Sequence, residues 1–97
     1  MTNSEVFYMF ADRQEAKGGS VRSERTPYGV VLYSYATPIA VFADTDAAPV
    51  FTTRKFSVTT SKQQAQARRA CFHVIDLDDE TFRTVAARLG ADFRMAR

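Results

Sequence analysis

Five cations share one acid-free stretch of the chain. Between Asp46 and Asp76 there is no acidic residue, while Arg54, Lys55, Lys62, Arg68 and Arg69 contribute five positive charges. Ser57, Thr59 and Thr60 lie among them. Such a surface attracts a phosphate backbone, and the hydroxyls add hydrogen bonds to it. It serves equally well against an acidic patch on a protein. The plain structural alternative is a solvated helix face, or one neutralised by Asp76, Asp78, Asp79 and Glu80.

The other candidates for chemistry are thinner. Ser61 follows two threonines and suggests a nucleophile, but His73 is the only histidine and no base is indicated. Capping of a helix explains Ser61 without catalysis. The free N–H groups of that helix start, beside Lys62, also suit an anion. Cys71 and His73 are two residues apart, too few ligands for a metal. Asp44 and Asp46 read as turn formers. Asp76 to Glu80 lacks the glycine and the full ligand spacing of a calcium loop. Tyr33 and Tyr35, with Tyr28 and Phe42, offer an aromatic platform for bases or an interface anchor. No catalytic, cofactor or metal constellation emerges, and the reading is of a non-enzyme. The candidate partner-binding residues are Arg54, Lys55, Lys62, Arg68, Arg69, Tyr33 and Tyr35.

These residues need a scaffold, and 97 residues suffice for one modest domain with little margin for loose packing. Frayed ends are expected at residues 1–3 and 94–97. Apolar residues at 45% and charged residues at 25% match an ordinary globular chain. A net charge of +2 does not by itself imply nucleic acid. One cysteine excludes an intrachain disulfide and fits a reducing compartment. No apolar run approaches the roughly 20 residues that span a membrane, and the amino terminus has no signal-peptide pattern. The expectation is a cytoplasmic protein.

Thr2 and Glu5 have capping-box spacing, and Gly18-Gly19 is a helix stop, which predicts a helix from about Ser4 to Lys17. A strand at Val6 to Phe10 is the rival reading. Gly18 to Gly29 is a loop or carries a short edge strand at Val21 to Arg25. Val30 to Tyr35, Ile39 to Phe42 and Val50 to Thr53 have strand composition. The first is apolar on both faces and so interior. Val31, Tyr33 and Tyr35 would share one half-exposed face. Phe56 to Thr60 alternates as a fourth strand, after which Ser61 and Gln64 form a capping box for a helix. That helix sets Ala67, Ala70, Cys71 and Val74 on a core stripe and turns Arg68 and Arg69 away. Asp78 caps a last helix, Leu77 and Phe82 have staple spacing, and Gly90 ends it. Beyond lies a basic tail, Asp92 to Arg97. The expected fold is α+β: a single-layer antiparallel meander of three or four strands packed against two or three helices. Pairing of an exposed edge, Val21 to Arg25 or Phe56 to Thr60, would allow a homodimer.

S-Y-A-T-P-I-A at Ser34 to Ala40 and K-F-S-V-T-T-S-K-Q-Q at Lys55 to Gln64 resemble a small family of uncharacterised proteins from bacteriophages and other mobile elements. Its pattern is Ser-Tyr-x-Thr-x-Ile/Val-Ala, then aromatic-Ser-x-Thr-Thr-Ser-Lys/Arg followed by His. Gln63 stands where that pattern has His. The resemblance spans about a third of the chain. It implies a small accessory protein in a bacterial host, of the kind that binds and redirects host machinery; inhibitors of CRISPR effectors are one such class. The expected function is therefore binding of a host protein or complex. The alternative is a basic nucleic-acid-binding accessory protein.

Overall fold

The computed structural model describes residues 1–96; the end of the expected frayed tail, Arg97, lies outside them. The element order is α1 (Asn3–Ala11), β1 (Ala16–Lys17), β2 (Val21–Thr26), β3 (Gly29–Ser34), β4 (Thr37–Ala43), β5 (Val50–Thr52), α2 (Val58–Arg69), β6 (Ile75–Leu77) and α3 (Asp79–Arg88). The six strands form one sheet in sequence order. The first five pair antiparallel. The sixth returns through α2 to lie parallel to β5. The class is α+β, but three or four strands undercounts the sheet, and it is not wholly antiparallel.

α1 begins as its sequence dictates. The Thr2 hydroxyl accepts from Glu5 N, and Glu5 Oε1 accepts from Thr2 N at 3.0 Å. The helix ends at Ala11 rather than Lys17, well short of the glycines. Arg13 takes the left-handed position that closes it, at φ 57°. Gln14 N donates to Met9 O and Arg13 N to Phe10 O, the paired bonds of a Schellman motif. A non-glycine residue there is held by its side chain. The Arg13 guanidinium sits 3.9 Å from the centroid of the Phe42 ring and donates to the carbonyls of Ala43 and Asp46. A stop made by tertiary contact leaves no local signal, so the predicted helix overran it.

β3 is buried along its whole length, as an interior strand apolar on both faces must be. Both faces are covered. Val30, Leu32, Phe42 and Phe51 pack with Val6, Phe7 and Phe10 of α1 and Ala67 of α2. Val31, Tyr33, Val41 and Val50 pack with Phe82 and Ala86 of α3. The helices therefore form two layers, one on each side of the sheet. Gly29 lets β3 approach β4 closely: a Cβ there would lie 2.3 Å from Phe42 O.

The expected strand at Phe56 to Thr60 does not form. β5 stops at Thr52, and α2 starts at Val58 with Ser57 as N-cap. Ser57 Oγ accepts from Thr60 N at 3.3 Å, while Ser61, the expected cap, lies inside the first turn with its own N–H on Ser57 O. Ser57, Thr59, Thr60 and Ser61 can each cap a helix, and the alternation of Phe56 and Val58 imitated a strand. No edge for pairing exists there. β2 is covered at Arg22 and Ser23 by β1, so the sheet edges are β1 and β6. β6 is short, and its central Asp76 is ion-paired to Arg68, features that discourage edge pairing.

Candidate functional site

The two sequence blocks that carry the resemblance meet in space. Their junction sets the amino-terminal half of α2. Ser34, the last residue of β3, bonds through Oγ to Thr60 Oγ1 at 3.1 Å and to Gln63 Oε1. Gln63 Nε2 donates to Ser20 Oγ at 2.8 Å. Asn3 Nδ2 donates to the same Ser20 oxygen, and Asn3 Oδ1 accepts from Ser20 N. Ser34, Thr60 and Gln63 are buried. Among the described residues no buried side-chain donor or acceptor lacks a partner, as burial demands. A buried amide in this position offers one acceptor and one donor to two hydroxyls. The network thus pins α2 to β3, to the β1–β2 turn and to the start of α1. Sequence reading missed it: Gln63 stood out only as a replacement for His, and Asn3 and Ser20 carried no signal at all.

With its inner face fixed by Thr60, Gln63, Gln64 and Ala67, α2 turns Val58, Lys62, Ala65 and Arg69 outward, and all four are exposed. Val58 is 87% exposed, and Phe72, just past the helix, is fully so. Val58 had been expected inside, on the strand that is absent.

The five cations of the acid-free stretch divide into two sets. Arg54 lies 3.8 Å from Asp79 and over the Phe56 ring at 4.9 Å. Arg68 pairs with Asp76 and rests 5.0 Å from the Phe51 ring centroid, so it lies against the sheet edge instead of pointing away. Lys55, Lys62 and Arg69 are exposed and have no ion-pair partner among the described residues. Arg69 also lines a shallow groove of about 220 Å³ between α1 and α2, with Ser4, Phe7, Tyr8, Gln66 and Ala70.

The two tyrosines separate. Tyr33 is core, not surface. Its hydroxyl accepts from Asp92 N at 3.0 Å, the Arg22 guanidinium lies 4.0 Å over its ring, and burial raises its pKa. Tyr35 is not on the strand. It is in the two-residue β3–β4 turn at φ 55°, and its ring is 60% exposed. Its N–H donates to Ser20 O at 2.7 Å and its carbonyl accepts from Arg22 Nη1 at 2.7 Å, which hold the left-handed backbone in place. Ser34 ties the end of β3, just before Tyr35, to Thr60 and Gln63 of α2, while Tyr33 packs with α3 on the other side of the sheet.

Cys71 is half-buried and donates to Ala67 O at 3.4 Å. Burial pushes its thiol up to about 11, so it is held as a packed thiol and not as a thiolate. His73 is exposed in the α2–β6 connection. Among the described residues no three His, Cys, Asp or Glu side chains converge as a metal site would.

Residues 1–71 match the model of a family of unknown function, DUF8033, and the chain belongs to that family. No curated protein and no solved structure matches it. The matched region contains both sequence blocks, the Ser34–Thr60–Gln63 junction and the whole of α2, and it ends where that helix's last turn closes.

Proposed function

We propose that this DUF8033 chain is a small non-enzymatic binding protein that acts by occupying a host protein through the outer face of α2. The observation that carries the reading is the pairing of Lys62 and Arg69, both exposed and without a counter-ion among the described residues, with Val58, an apolar side chain left in solvent on the same face. Folding explains none of the three. Cations around desolvatable apolar surface are what a protein partner with acidic residues would meet. Tyr35, exposed in the β3–β4 turn next to the Ser34 that bonds to α2, offers an aromatic contact of the kind that anchors interfaces. The resemblance of the two sequence blocks supports a phage or mobile-element setting in a bacterial cytoplasm, where the partner would be host machinery and an anti-defence role, such as inhibition of a CRISPR effector, is one form of it.

Binding of nucleic acid through Arg54, Lys55, Lys62, Arg68 and Arg69 is the second reading. The structure's ion pairs weigh against it. Arg54 and Arg68 are committed to Asp79 and Asp76, whose carboxylates would repel a phosphate brought to those two cations.

The test is affinity capture from nuclease-treated host lysate, with the wild-type chain and Lys62→Glu/Arg69→Glu run side by side. A stoichiometric protein retained by the wild type and lost by the double reversal is the expected result. Capture of nothing, together with duplex DNA binding whose affinity falls steeply with salt, overturns the reading in favour of the second.

A further inference from the structure

The outer face of α2 has an internal period. Val58, Ala65 and Phe72 are seven residues apart, and so are Lys62 and Arg69. Within α2 the steps of four, three and four, from Val58 through Lys62 and Ala65 to Arg69, keep to one face, and Phe72 follows just past the helix end. Repetition at seven is the spacing at which one helix follows another along a shared seam. The inner positions of the same helix, Thr60, Gln63, Gln64 and Ala67, are buried, so this seam is not the one that holds α2 to the sheet. Its centre is an alanine, small enough for another backbone to approach. Val58, at its start, is apolar and in solvent.

We infer that the seam receives an amphipathic helix of the protein partner, with acidic side chains seven residues apart facing Lys62 and Arg69. This inference rests on the protein-binding reading above and specifies its contact. Charge selects the occupant. A second copy of α2 laid antiparallel sets each Lys62 near the Arg69 of the other, and laid parallel sets Lys62 against Lys62; both juxtapose like charges. A helix with Glu or Asp at those places meets two cations left unpaired among the described residues, and its small and apolar residues cover Val58 and Ala65.

The probe is a labelled synthetic helical peptide about three heptads long, with apolar residues at alternating steps of three and four and two glutamates seven apart beside them. A control peptide of equal composition carries the glutamates on its opposite face. Fluorescence anisotropy is read against the wild-type chain, Lys62→Glu/Arg69→Glu and Ala65→Arg, each first checked for native circular dichroism. The first peptide should bind, at least about tenfold more weakly to the double reversal, and a peptide with lysines in place of those glutamates should restore the loss. Ala65→Arg separates seam packing from mere charge: it adds a cation, yet its bulk blocks the close approach, so affinity for the acidic peptide should fall. A rise in affinity with Ala65→Arg, equal binding of the control peptide, or equal displacement by a duplex oligonucleotide overturns the inference. If neither peptide binds while a lysate protein is still lost with Lys62→Glu/Arg69→Glu, the helical contact is wrong and the protein-binding reading stands.

Discussion

At the scale of single residues, the junction between Ser34, Thr60, Gln63 and Ser20 decides how firmly α2 is held. Gln63 suits it because an amide offers an acceptor and a donor at once, here to Ser34 and Ser20. A neutral imidazole also has one of each; an aliphatic chain has neither. Gln63→Leu should therefore destabilise the protein by about 1–3 kcal/mol, since hydroxyls buried beside it lose a partner. Gln63→His should cost measurably less. Urea denaturation of both variants checks this, and equal losses would show that packing volume, not hydrogen bonding, matters at the site. Sequence alone could not reveal the junction. Its members come from α1, the β1–β2 turn, β3 and α2, and none of them is unusual in its own window. The basic cluster, by contrast, was legible as an acid-free run, but which cations are free was not. That depended on Asp76 and Asp79 folding back onto Arg68 and Arg54.

At the scale of elements, the start of α2 separates what local chemistry specifies from what it leaves open. Ser57, Thr59, Thr60 and Ser61 all favour a helix start nearby, and the alternation before them allowed a strand. The choice of Ser57 follows from Thr52. That residue ends β5, accepting from Arg54 N and donating to Asp79 Oδ1 at 3.0 Å, so the chain leaves the sheet before Phe56. Ser57→Ala should cost about 1 kcal/mol, the usual value of an N-cap. Ser61→Ala should cost about 0.5 kcal/mol or less, because its hydroxyl makes only long contacts to Phe56, at 3.4 Å. Thermal denaturation of the two alanine variants distinguishes them, and a larger loss at Ser61 would return the cap to the position that sequence spacing favours. The ends of α1 and α3 carry the same lesson in reverse. Gly90, at φ 91°, closes α3 where its residue type says it should. Arg13 closes α1 where no residue type announces it.

At the scale of the whole molecule, the second helical layer is the feature that sequence implied without stating. A strand apolar on both faces needs cover on both, and Val30 to Tyr35 was legibly such a strand. Placing α3 on the far side required β6, whose three residues Ile75, Asp76 and Leu77 are too few to show a period. β6 adds to β5 by Ile75 N on Pro49 O and Thr53 N on Leu77 O, both at 2.9 Å, and so delivers the chain to the opposite face. There Phe82 and Ala86 are fully buried against Val31, Tyr33, Val41 and Val50, with Phe93 stacked edge-on to Phe82. The family match ends at Cys71, before any of this. A chain cut after Cys71 would keep α2 with Val58, Lys62, Ala65 and Arg69 on its outer face, lose Phe72, and bare that face of the sheet. At about 1.5–3 kcal/mol for each large side chain returned to water, the loss is on the order of 10 kcal/mol. That is comparable to the entire stability of an ordinary domain. The 1–71 fragment should therefore lack a cooperative thermal transition and bind hydrophobic dyes, as calorimetry and dye fluorescence would show. A cooperatively folding fragment would mean that α3 is an accessory layer. The expected failure instead makes β6 and α3 part of the platform that holds the α2 seam in place, though they contribute no residue to it.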